Sequence, residues 1–279
     1  MRPLAGHRVF TLVRRASGPE VDVPLLVLHG FPTSSYDFHL VADALCARRT
    51  VAFVDMLGYG LSSKPDQPYR LAEQADIAAA FVAELGISRL ALLTHDMGDT
   101  VGGELLARQL EGAWPVEVTA RVVTNGSIYI EMAQLSVGQE VLLSLPDARL
   151  EGEVSADGTA MKAGLQATFS PHSAVPAGEL DAMWELISRN DGQRVLTRTI
   201  RYIEERRANQ DRYTGAIERH PSPLAILWGT DDPIALVAMA TRLAAARPDA
   251  AVTLLDGVGH YPMVEAPARF AEAVTAFLG

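Results

Sequence analysis

The 279-residue chain is 48% hydrophobic, enough to bury a large α/β domain with an insertion without disulfide or metal staples. Its 24 basic and 34 acidic side chains give a formal charge of −10, which argues against nucleic acid or an anionic membrane surface as a partner. Cys46 is the single cysteine; it excludes a disulfide framework and fits a reducing compartment. The first ten residues lack the apolar core of a secretion signal, and no run approaches a membrane span. These features set the expectation of a cytoplasmic protein, monomeric or homodimeric, with no membrane partner. The seven histidines show no H-E-x-x-H spacing, so neither a metal nor a cofactor is expected.

In chain order, apolar–polar alternation from Arg8 to Arg14 predicts an edge strand, and the apolar run Val23 to Leu28 a strand buried on both faces. That run ends at His29-Gly30-Phe31-Pro32, where a glycine after a central strand allows a turn that points backbone N–H groups above the sheet. The spacing predicts a helix over Tyr36 to Ala47, a buried strand over Thr50 to Val54 and a helix over Leu71 to Leu85 ending at Gly86. The glycines of Asp55 to Ser62 do not form a G-x-G-x-x-G opening a helix, which disfavours a dinucleotide-binding fold.

Leu90 to Leu93 is a short apolar run that breaks at Thr94-His95-Asp96-Met97-Gly98 and continues as a helix through Leu110. Strand, tight turn and helix in that order form a nucleophile elbow, which holds its central side chain clear of the sheet. Here that residue is Asp96. An aspartate is anionic at neutral pH and attacks carbon without a base, so the expected intermediate is an ester. Hydrolysing that ester then needs a base-activated water and donors for the oxyanion.

A strand over Val118 to Val123 follows, ending in Asn125-Gly126. The alternation then stops, and residues 130–215 read as a mostly helical cap over Asp96, broken by Pro146, Pro171 and Pro176. It resumes with a strand at Leu224 to Trp228, a helix at Leu236 to Ala246, a strand at Val252 to Leu255 and a last helix from Ala266 to Leu278. This organisation divides the chain into a core (1–129), the cap (130–215) and the rest of the core (216–279). It predicts a mostly parallel sheet flanked by helices, with Phe31, Asp96, Asp232 and His260 at strand ends.

The order Asp96, Asp232, His260 and the H-G-F-P turn resemble the α/β-hydrolase superfamily, specifically its aspartate-nucleophile branch of epoxide hydrolases and haloalkane dehalogenases. The pieces HGFPTSSYDF, DMLGYGLSSKP, LLTHDMGD, NGSIY, NDG, GTDDP and HYPMVEAP are most similar to the mesoderm-specific transcript group within it. The resemblance implies Asp96 as nucleophile, His260 as general base, Asp232 as its orienting carboxylate, and the Phe31 and Met97 N–H groups as the oxyanion hole. Asp231 and Glu131 are weaker choices for the acid.

Met97 and Phe31 stand where dehalogenases carry halide-binding Trp and Asn, and the resemblance therefore favours an epoxide hydrolase yielding vicinal diols. It implies a cap tyrosine as proton donor: Tyr202 first, with His172, Tyr213 and Tyr129 as further candidates. Met161, Leu165, Phe169, Met183 and Trp184 suggest a small, largely apolar organic substrate. A haloalkane dehalogenase-like hydrolase, an acyl hydrolase and a catalytically silent binding protein on the same fold are the alternatives.

Overall fold

The structure, a computed structural model, describes residues 1–19, 23–151 and 157–279. A small hairpin, β1 (Arg2–Leu4) with β2 (His7–Val9), precedes the main sheet. The strand expected over Arg8 to Arg14 is two strands, because the Phe10 N–H leaves the ladder to donate to Ser62 Oγ at 2.8 Å. Its second part, β3 (Thr11–Arg14), is an edge strand and, among the described residues, the one antiparallel member of the sheet.

The central strands are β4 (Leu25–Leu28), β5 (Val51–Val54), β6 (Arg89–His95) and β7 (Glu117–Thr124). Completing the sheet are β8 (Leu224–Gly229) and β9 (Ala251–Leu255). The seven strands run β3-β5-β4-β6-β7-β8-β9, and helices on both faces bury the continuous apolar runs of β4, β5 and β8. This is the α/β-hydrolase fold. β9 is exposed along most of its length, because the last strand of a sheet lacks a neighbour on one side.

Parallel register aligns Leu28 with Thr94, His95 with Thr124, and Thr124 with Leu227. The loops leaving these strands therefore open at one rim, which is where an open parallel sheet presents its ligands.

The helix expected over Tyr36 to Ala47 is a 3₁₀ turn at Ser35–Phe38 and a single turn, α1 (Ala42–Leu45). Side-chain bonds compete with the helix here: Ser35 donates its N–H and hydroxyl to Asp55 Oδ1, at 2.9 and 2.6 Å. The helix α2 (Leu71–Glu84) lies as expected, and α3 (Met97–Leu110) rises from the elbow.

Between β7 and β8 lies a helical insertion: α4 (Val137–Ser144), α5 (Thr159–Gln166), α6 (Glu179–Ser188), α7 (Leu196–Thr199), α8 (Tyr202–Ala208) and α9 (Gln210–Arg219). The expected boundary at residue 215 falls inside α9, which packs on α3 of the core, with the Tyr213 backbone against Gly103. After β8 come α10 (Val237–Ala246), α11 (Pro262–Glu265) and α12 (Pro267–Leu278). Among the described residues, no helix is long and apolar enough to cross a membrane.

Candidate active site

β6 delivers the chain into a turn at Asp96 with φ 50° and ψ −115°, outside the conformations ordinary for a side-chain-bearing residue. Such a turn closes only if its neighbours are small. A Cβ on Gly98 would lie 2.4 Å from the Leu28 carbonyl oxygen, and one on Gly30 would lie 2.6 Å from the Asp96 Cβ. The two glycines thus let β4 and its loop approach Asp96, and the Phe31 N–H donates to Asp96 Oδ2 at 2.9 Å. Met97 is the first residue of α3, where a backbone N–H has no partner within the helix.

On the far side of Asp96, His260 Nδ1–H donates to Asp232 Oδ2 at 2.8 Å, with both side chains buried. Asp232 is held in turn by the Ile234 and Ala235 N–H groups on Oδ1, at 2.8 and 3.0 Å. Asn125 Nδ2 completes the cage at 2.7 Å from Oδ2. Asn125 itself sits at φ 47°, and its Oδ1 accepts from the Gly229 N–H at 3.0 Å. The sequence reading gave Asn125 no role. Its signal is the Asn-Gly after a buried strand, a pair that tolerates positive φ.

Burial is the largest influence on His260 and disfavours its charge. The combined pull of Asp232, by charge and hydrogen bond, and of Asp96 and Glu265 outweighs it and raises the imidazole to about 9. Burial of His95 lowers it to about 4, so it stays neutral, and its Nε2–H donates to the His260 carbonyl at 2.8 Å. His29 is also held down by burial. Its Nδ1–H donates to the Gly30 carbonyl at 2.8 Å, and its Nε2 accepts from the Met56 N–H at 3.0 Å. His29 and His95 therefore brace the loops that carry Phe31 and His260.

Tyr202 is buried on α8, its ring centroid 5.6 Å from that of Phe31. Burial, and then the charge of Asp96, push its hydroxyl upward, so it keeps its proton. The Gln139 carboxamide faces that hydroxyl. Gln139 Oε1 already accepts from the Ser136 N–H at 2.9 Å in a capping box, which leaves the amide nitrogen as the group available to Tyr202. This second residue escaped the sequence reading because it looks like an ordinary helix cap.

Behind Tyr202 lies Arg206, buried, its guanidinium 4.9 Å from the ring centroid. Arg206 Nε donates to Thr100 Oγ1 at 2.8 Å and Nη1 to the Ser127 carbonyl at 2.9 Å. Those bonds tie α8 to α3, the helix that Asp96 precedes, and to the segment after β7. One turn below Asp96, Asp99 is buried, and desolvation raises its carboxyl well above the usual range.

The other candidate donors do not join the site. The Tyr129 hydroxyl donates to Glu218 at 2.7 Å under Arg242, and Tyr213 donates to Glu205 at 3.3 Å. His172 is exposed in a groove beside Asp256 and Arg269. Of the alternative acids, Glu131 pairs with Arg242 at the surface, and Asp231 accepts from Ser170 Oγ at 2.7 Å. The polar groups of Tyr129, Tyr213, Glu131 and Asp231 are thus each engaged by a partner other than Asp96. No group of three or more His, Cys, Asp or Glu among the described residues is arranged to hold a metal.

A cavity of about 250 Å³ reaches Phe31, His260 and Tyr261 from between α4 and α5. Fold, elbow and acid–histidine pair together define a hydrolase-type site at the rim of a parallel sheet. The chain matches the alpha/beta hydrolase family over residues 25–273 and belongs to it.

Among its relatives is LipZ of Mycobacterium tuberculosis, whose name calls it a hydrolase and no more. It is 40% identical over 99% of this chain and 94% of its own length. The mesoderm-specific transcript homolog protein of Homo sapiens is 32% identical over 98% of this chain and 83% of its own. A solved α/β hydrolase fold protein from Burkholderia ambifaria superposes with a TM-score of 0.77 at 26% identity, covering 97% and 94% of the two chains. The epoxide hydrolase CorEH superposes at 0.74 with 16% identity, covering 99% and 96%, a likeness of fold alone.

Proposed function

We propose that the protein is a cofactor-independent epoxide hydrolase that works through an ester on Asp96, with residues of the helical insertion acting as a cap. The observation that carries this reading is an aspartate at the elbow, with one carboxylate oxygen on the Phe31 N–H and a buried His260–Asp232 pair beside it. The free Asp96 oxygen attacks a ring carbon, and the ring C–O bond breaks towards oxygen. That oxygen takes the Tyr202 proton, which leaves a hydroxyalkyl ester.

Ester formation removes the Asp96 charge, one of the groups that sustain the His260 imidazolium. The imidazole then releases its proton to solvent and becomes a base; it regains a proton from solvent once the Asp96 charge is restored. Water attacks the ester carbonyl as His260 takes one proton, and the oxyanion rests on the Phe31 N–H. On collapse the diol oxygen takes that proton. The second proton of water returns to Tyr202, and Asp96 is again a carboxylate.

The test is intact-protein mass spectrometry of His260→Gln with a panel of epoxides and haloalkanes. The expected result is an adduct of full epoxide mass that is lost when Asp96 is also replaced by Ala. An alkyl adduct lacking halogen, with none from epoxides, would reassign the reaction to dehalogenation. A folded protein with no adduct at all would move it to the silent binding protein.

A further inference from the structure

The cavity between α4 and α5 is bounded by small residues at its outer end. Gly138 on α4 faces outward space, and Ala160 and Gly164 on α5 line the same cavity. A Cβ built on Gly164 would meet no atom within 4 Å, and one on Gly138 only the Ser136 hydroxyl at 3.8 Å. A side chain at either position would therefore project into open space. A glycine inside an eight-residue helix weakens it by about 0.5–1 kcal/mol relative to alanine, so local helix stability does not account for Gly164.

Deeper in, Leu142, Met161 and Leu165 line the cavity, and the ionisable groups among the described residues that line it are His260 and Tyr261 at the inner end. Outside, Val137, Val141 and Leu145 are exposed at intervals of four along α4 and just past its end, and Val141 also lines the cavity. Apolar surface therefore runs from solvent to the Phe31 turn. A charged head would be desolvated along this path with nothing to pair with.

We infer that the substrate is a slender, unbranched apolar chain with its reactive group at one end, threaded between α4 and α5 across Gly164 towards His260. This rests on the reading of Asp96 and His260 as the reacting end. Gly164 selects for chain length and slenderness because a side chain there would fill the slot without meeting backbone.

The experiment compares Gly164→Leu with the unaltered protein, leucine being a better helix former that finds open space. Binding of 1-decanol is followed by titration calorimetry, and kcat/KM is measured for 1,2-epoxybutane and 1,2-epoxydodecane. The expected result is decanol binding to the unaltered protein. In the variant, binding weakens about tenfold or more and the loss in kcat/KM is similar for epoxydodecane, equivalent to two unburied methylenes. Epoxybutane, whose ethyl group leaves few methylenes to unbury, changes by no more than about twofold.

Absence of decanol binding to the unaltered protein, or an equal loss for both epoxides, would overturn the inference. Decanol binding that the variant loses, in a protein that opens neither epoxide, would uphold the channel and reject the epoxide chemistry.

Discussion

His260 holds its proton up to about 9 while Asp96 and Asp232 are both charged. A raised pKa is a resting-state property, and esterification removes one of the charges that raise it. The hydrolytic half-reaction should therefore increase with pH through a midpoint below 9, whereas ester formation should not follow that ionisation. Single-turnover decay of the ester, followed by quenched-flow mass spectrometry across pH 6–10, checks this; a flat profile, or a midpoint at or above 9, would sink it. The positions of Asp96, Asp232 and His260 at strand ends were legible because motif and apolar run coincide there. Asn125 was not, since its bond to Asp232 spans 107 residues and becomes visible only when β7 and β8 lie side by side. Tyr129, Tyr213 and His172 show the converse, as residue type alone cannot say which partner a hydroxyl or imidazole finds.

At the scale of elements, the strands of the sheet were readable from continuous apolar runs, and the helices of the insertion only as a class. Weak local pattern is the reason: α4 buries no residue fully and α5 buries only Leu165. The short helix α8 is fixed instead by Arg206, which reaches across to Thr100 and Ser127. Replacing Arg206 by Met keeps the volume and removes both bonds. It leaves a buried hydroxyl and carbonyl unpaired, and the expected destabilisation is about 1–3 kcal/mol in urea unfolding. Tyr202 then loses its support from behind, so ester formation should slow more than ester hydrolysis, in which Tyr202 gives no proton and only regains one. Arg206→Lys, which keeps the charge without the fork, should recover only part of either loss. Unchanged stability and an unchanged ratio of the two rates would show that α8 is held by other means.

For the whole molecule, the question is whether the insertion and the sheet form one cooperative body. The sequence break at residue 130 suggested two units, yet α9 lies against α3 with backbone touching backbone at Gly103. A Cβ there would stand 2.7 Å from the Tyr213 carbonyl oxygen and 3.2 Å from its Cα, so a side chain could be admitted only by moving one helix from the other. Arg121, buried under the same region, reinforces the junction: Nη1 donates to the Ile217 carbonyl at 2.6 Å and Nη2 to that of His220 at 2.9 Å. Because α9 is thus built into the core layer, Gly103→Val should lower the stability of the entire chain by about 1–3 kcal/mol, the usual cost of overpacking. At roughly 2–4 °C per kcal/mol for a domain of this order, the shift is readable by calorimetry. The expected trace is a single transition moved to lower temperature. If the main transition stayed in place and only a minor early one moved, the insertion would be melting on its own, and α9 would belong to it rather than to the sheet.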